Sequence, residues 1–279
     1  VFPDNVLVWQ RGNKKLADLS GRGYSVIAWV PKLRAVALKK HPDGIFLWHD
    51  PSSEPEMLLD YHVLSDEIHF SSGPQIAISE SGDAIALYFE LSGELVIIDV
   101  ATRSIVSRFN QPKIAALTGI PTTVCDLVRG VAINSRKKEV AISLPSNRIR
   151  DEISSTAQTE TFVINYKDVT ARYVGPGAPV AWVDGDTLLC IFQDVLPKDD
   201  RPHGQEKEAR LYRADTLIAS MTHVDSVAFD GARILLTRRT TPHKAGVLEA
   251  EIRSPDLRTP YLKVQLNGIS DVYRVALLP

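Results

Sequence analysis

The sequence predicts an all-β fold assembled from a repeated unit of four short antiparallel strands. Three observations predict it. A short apolar run with a central alanine recurs, and the alanines Ala28, Ala77, Ala132, Ala181, Ala228 and Ala276 are spaced by 49, 55, 49, 47 and 48 residues. The stretch 75–109, QIAISESGDAIALYFELSGELVIIDVATRSIVSRF, writes one unit without insertions, as apolar β-branched runs broken by Gly, Ser, Asp or Thr. The two ends of the chain also complement one another, because the last run, 273–277, reads as a first strand while 6–10 and 16–19 read as a third and a fourth.

Taken in order, the first strands are 25–30, 75–79, 130–134, 179–183 and 226–230, followed after a turn by the second strands RAVALKK, AIALYFE, EVAISLP, TLLCIFQ and RILLTRR. Third strands are expected at 45–50, 94–100, 161–166, 209–214 and 246–252, and fourth strands at 57–61, 105–109, 169–174, 217–221 and 261–266. Alternation of apolar and polar residues over four to eight positions is the signature of a strand with one buried face.

Four-stranded units at a period of about 48 residues, closed through the termini, resemble the blades of a β-propeller, the period falling between those of WD40 and kelch repeats. The third strand of the template, ELVIIDVAT, is WD40-like, with Asp99 in the place of the Asp of the Trp-Asp dipeptide; LWHD at 47–50 is a looser version. The resemblance implies about six four-stranded blades in a single domain over 1–279, with seven as the alternative, closed by pairing of the N- and C-terminal strands. The blades are expected at 1–20 together with 268–279, 22–61, 73–110, 129–175, 178–221 and 225–267. Such closure removes the exposed sheet edges.

Composition narrows the function classes. Apolar content of 44% and charged content of 24% are ordinary for a globular chain with a sizeable core. A net charge of −2 gives no electrostatic reason to expect nucleic acid. No apolar run reaches the roughly 20 residues needed to span a bilayer. Cys125 and Cys190 have no CxxC spacing, which slightly favours a reducing, cytoplasmic compartment without assigning one. The chain starts at Val1, and the expectation is that it is processed or part of something longer.

The sequence has no Gly-x-Ser-x-Gly elbow, no phosphate-cradling Gly-rich loop, no Asp box, and no HxH or HExxH spacing among its seven histidines. No catalytic, cofactor or metal residue is nominated. Trp9, Trp29, Trp48 and Trp182 read as packing between blades.

The informative departures from the template are long connections at 110–129, 145–160 and 194–208, which propeller topology places on one face of neighbouring blades. The first reading is therefore a non-catalytic interaction module or scaffold that binds another protein through this face, centred on 110–129, 145–160 and 194–208, with Arg148, Arg150, Asp151, Asp199, Asp200, Arg201 and His203 as polar contacts and 110–129 carrying apolar surface enough to pack locally or to bind a partner. The second reading is an enzyme or small-ligand binder of the calcium-dependent six-bladed kind, using the central channel, with Glu80, Asn134, Asp184, Asp230, Asp225 and Asp271 as its polar groups.

Overall fold

The structure is a computed structural model that describes residues 7–10, 14–19, 22–50, 52–64, 74–89, 92–120, 130–145, 159–193, 207–239 and 248–265. A hairpin of β1 (Leu7–Gln10) and β2 (Lys14–Asp18) comes first. Blade I follows as β3 (Tyr24–Val30), β4 (Ala35–Lys40), β5 (Gly44–Trp48) and β6 (Glu56–Asp60). Blade II is β7 (Gln75–Ile78), β8 (Ala84–Phe89), β9 (Glu94–Asp99) and β10 (Ser104–Phe109). The helix α1 (Gln111–Thr118) leads to blade III, made of β11 (Val131–Asn134), β12 (Glu139–Pro145), β13 (Thr159–Asn165) and β14 (Thr170–Pro176). Blade IV is β15 (Ala178–Trp182), β16 (Thr187–Gln193), β17 (Lys207–Arg213) and β18 (Thr216–Met221). Blade V is β19 (Val224–Phe229), β20 (Ile234–Arg239), β21 (Leu248–Arg253) and β22 (Pro260–Gln265).

Each blade pairs its strands in sequence order, antiparallel throughout, and the innermost strands β3, β7, β11, β15 and β19 are successive neighbours around one axis. This arrangement is a β-propeller. Its blade count corrects the sequence expectation: the described residues form five four-stranded sheets, not six or seven, and the β1–β2 pair remains two-stranded. The expected closing strand 273–277 lies outside the described residues. Leu19, just after β2, is buried with Tyr24, Val36, Leu38, Phe46 and Trp48 of blade I, which brings the end of that hairpin onto blade I. Among the described residues no helix is long and apolar enough to cross a membrane.

The repeated alanine has a packing cause. Ala28, Ala77 and Ala132 each stand opposite another alanine on the second strand, Ala37, Ala86 and Ala141. Ala77 and Ala86 join the core between blades II and III, whereas Ala132 and Ala141 join that between blades III and IV. Near the axis the sheets converge, and at crystal-like packing density only a small side chain fits between them. Farther out the blades diverge and larger residues fill the wedge, such as Tyr88, Phe109 and Phe162 between blades II and III.

Every blade also shifts register between its third and fourth strands, at Ile45/Phe46, Ile105/Ser107, Thr161/Phe162, Leu211/Tyr212 and Ile252/Arg253. A bulge there increases the local twist. Asp99, the residue behind the WD40 resemblance, organises the turn that follows: its Oδ1 accepts from the Thr102 amide and hydroxyl, both at 2.8 Å. Asn165 does the same one blade later, accepting from the amides of Lys167 at 3.0 Å and Asp168 at 2.9 Å.

Candidate functional site

Two features can present chemistry: a cavity on the axis, and the end of the propeller where the long connections leave. The cavity has a volume of about 410 Å³ and is lined by all five innermost strands. The residues that follow the repeated alanine, Trp29, Ile78, Ile133, Trp182 and Phe229, line it at one level. Trp29 and Trp182 thus border the channel as well as packing between sheets, while Trp48 is buried with its indole N–H donated to Ser53 O at 3.0 Å.

The first-to-second turns close one end of the axis. A methyl group on Gly231 would lie 2.4 Å from Pro31 Cγ, so the turns of blades V and I touch. Lys32 N donates to Glu80 O at 3.4 Å between blades I and II, and Asn134 Nδ2 donates to Gly185 O at 3.2 Å between blades III and IV.

Of the proposed channel polar groups, Glu80, Asp184 and Asp230 sit in these turns and Asn134 ends β11, whereas Asp225 lies near the start of β19, towards the other end; local hydrogen bonds engage Asn134, Asp184 and Asp230. Asp184 Oδ1 accepts from the amides of Asp186 and Thr187, each at 2.7 Å. Burial pushes its pKa up, but those hydrogen bonds outweigh it and hold the carboxyl below its ordinary range. Asp230 Oδ1 accepts from the amides of Ala232 at 2.8 Å and Arg233 at 2.6 Å, and its Oδ2 from Arg233 Nε at 2.9 Å. Asn134 Oδ1 accepts from Lys137 N at 3.3 Å. Glu80 forms an exposed ion pair with Arg136 at 3.8 Å, and Asp225 contributes its backbone carbonyl to Lys207 Nζ at 3.2 Å. Asp271 lies outside the described residues. Among the described residues no three His, Cys, Asp or Glu side chains converge on a metal position. Asx residues at strand ends cap turns for a general reason: their short side chains reach amides two or three residues on.

A cluster that the sequence reading missed joins blades II and III at the same end. Asp83 accepts from Ser79 Oγ at 2.6 Å and from Ser81 Oγ, and Ser81 Oγ lies 3.2 Å from Ser135 Oγ on the next blade. Burial acts to raise the Asp83 pKa, but the hydroxyls of Ser79, Ser81 and Ser135 bring it down to about 2. The stability this carboxylate contributes is complete above its unfolded pKa, about 3.9, and is lost as pH falls towards about 2. Asp83→Asn is expected to cost under about 1 kcal/mol at neutral pH, because the side chain is exposed to solvent screening. It should also flatten the fall of Tm between about pH 4 and 2, and an acid titration of Tm in both proteins checks this.

The opposite end collects the second-to-third and fourth-to-first connections. Their boundaries differ from expectation. Pro145 belongs to β12, and Thr159 and Glu160 to β13, so that connection is 146–158. Lys207 and Glu208 belong to β17, Lys207 standing opposite Gln193, which leaves 194–206. Their charges suit a strand because Arg210 lies over the Phe192 ring at 3.6 Å and pairs with Glu208 at 2.7 Å. Arg148, Arg150, Asp151, Asp199, Asp200, Arg201 and His203 all lie outside the described residues.

The third long connection resolves in part into α1. Asn110 caps it, with Oδ1 accepting from Lys113 N at 3.1 Å, and Gly119 ends it in the left-handed region at φ 73°. Ile114 and Ile120 are buried in the core between blades II and III, so the apolar residues of this half pack locally. Val124 and Leu127 lie outside the described residues.

No family model matches the chain, and no curated protein matches it. In shape it is similar to a structure from a nidogen/laminin complex, at 12% identity and a TM-score of 0.51, covering 94% of this chain and 90% of that one. It is equally similar to the tricorn protease, at 12% identity and a TM-score of 0.51, covering 94% of this chain but 29% of that one. The β-propeller domain of the Trilobed protease from Pyrococcus furiosus aligns over 81% of this chain and 66% of that one, at 12% identity and a TM-score of 0.41. At these identities the likeness concerns the fold: the chain is a β-propeller with four-stranded blades.

Proposed function

We propose that this protein is a non-catalytic interaction module that binds another protein through the end where its long connections emerge. One observation carries the reading. The two ends of the propeller are built differently: short hydrogen-bonded turns close one, while at the other 146–158, 194–206 and 240–247 leave from strand ends and 121–129 follows α1. Long connections on a rigid scaffold are where binding residues concentrate. The partner contacts are Arg148, Arg150 and Asp151 in one connection and Asp199, Asp200, Arg201 and His203 in the next. Arg is enriched at protein interfaces, and polar residues form their rim.

Replacing 197–205 by glycine and serine tests this. Because β16 and β17 pair outside that segment, Tm is expected to change by no more than a few degrees, with several-fold weaker capture of the partner proteins retained by the parent. An unchanged partner set with an intact fold would overturn this choice of connection.

A further inference from the structure

Each innermost strand stands at the end of its sheet's strand order, so one side of it has no ladder partner among the described residues. Alternation in antiparallel pairing decides which peptide groups face that side. In β11, Ser143 N donates to Gly130 O at 3.2 Å, which makes that pair hydrogen-bonded. Counting by two, Ala132 and Asn134 also bond towards β12, and Val131 and Ile133 turn their N–H and C=O towards the axis. In β7, Ser79 N donates to Ala84 O at 2.9 Å, and the same count turns Ile76 and Ile78 towards the axis. All four residues line the cavity. The walls of the channel are therefore apolar in side chain and strongly polar in backbone.

We propose that the axial cavity is a binding site for a short extended peptide segment, which pairs through its own backbone with the open edges of β7 and β11. The recognition is strand addition, in which main-chain hydrogen bonds supply affinity. Three features favour a peptide backbone over a charged ligand. The open edges repeat a donor and an acceptor at every second residue, the rhythm of an extended chain. Of the charged groups at the two ends, Glu80 pairs with Arg136, Asp184 caps its own turn and Lys207 donates to the Asp225 carbonyl. In addition, Trp182, which lines the cavity, carries an indole N–H that is buried without a hydrogen-bond partner. A volume of about 410 Å³ is within the usual range of small-ligand sites. This site is separate from the long connections, and its occupancy does not depend on their role.

The test uses the intact chain and N-acetyl-alanyl-valyl-alanine amide as probe, with its fully N-methylated analogue as control. Amide hydrogen exchange is read residue by residue by NMR. Without probe, the amides of Ile76, Ile78, Val131 and Ile133 should exchange faster than those of Ala77 and Ala132, which are bonded in the ladder. At about 10 mM the probe is expected to slow the four axis-facing amides about threefold or more, as a Kd in the low millimolar range requires. Ala77 and Ala132 should be unaffected, and the analogue should have no effect. Unchanged exchange at the four positions, meaning a channel that holds water only, would overturn the proposal. So would equal slowing by the N-methylated analogue, which fills apolar space but cannot donate, or slowing that extends to Ala77 and Ala132.

Discussion

Phe109→Ala is expected to lower the unfolding free energy by about 3–5 kcal/mol, the usual cost of deleting a fully buried aromatic side chain. Phe109 ends β10 opposite Leu95, is 0% exposed and packs in the core shared by blades II and III. It also supports α1, since Lys113 Nζ lies 4.5 Å from the centre of its ring. Removing the ring opens a cavity in a wedge where two rigid sheets and a helix meet, and none of the three can collapse into it without losing its own pairing. Phe109→Leu, which keeps most of the volume, should lose far less. Chemical denaturation of both variants checks the order, and an alanine cost under about 1 kcal/mol would contradict this view of the blade interface.

Glu251→Ala is expected to cost about 3 kcal/mol at neutral pH, through a different mechanism. Glu251 stands on β21 opposite Leu236 and Lys263, and Leu236 packs against Leu189, Ala209 and Leu211 of blade IV. Its side chain is 0% exposed and receives Lys263 Nζ and Arg253 Nε, each at 2.7 Å, and Arg238 Nη1 at 3.3 Å. Burial alone would raise its pKa. The hydrogen bonds from Lys263 and Arg253, with the charges of Arg253 and Arg238, instead hold it below the ordinary glutamate value. Truncation leaves Arg253, itself buried, and Arg238 without their counter-charge. Because the folded pKa is depressed, the carboxylate's contribution is complete above about pH 4.3 and is lost as pH falls below it. The stability gap between parent and variant should therefore narrow in acid. Denaturation curves at pH 7 and pH 3 measure it, and a gap that does not change with pH would contradict the ionic account.

Strand positions were legible because each carries its own evidence, a short apolar run between turn residues, and the alanine period tied the runs into units. The blade count was not, because it depends on pairing between chain ends, and a run such as 273–277 says nothing about its neighbour. The helix α1 has its boundary signals in the sequence, with Asn110 as cap, Pro112 in the first turn and Gly119 at the end, but its eight residues sit inside a long connection without a strand's alternation to mark them. Lys207 and Glu208 were misassigned because charge on an outer strand looks like a loop until Phe192 and Arg210 are seen to cover it. At the candidate site, Asp184 and Asp230 stand in first-to-second turns, and their hydrogen bonding belongs to those turns. The Asp83 cluster depends on Ser135, which is distant in sequence, so the SESGD run alone could not reveal it.

The asymmetry between the two ends is tested most directly by cross-linking the captured partner to lysines of the propeller. Lys40 and Lys113 lie at the connection end, where Lys207 begins β17 after the 194–206 connection, whereas Lys32, Lys137, Lys138 and Lys167 lie in turns at the opposite end. The proposed function predicts partner cross-links at Lys40, Lys113, Lys207 and, within the connection itself, Lys198. Cross-links concentrated at Lys32, Lys137, Lys138 and Lys167 would contradict it.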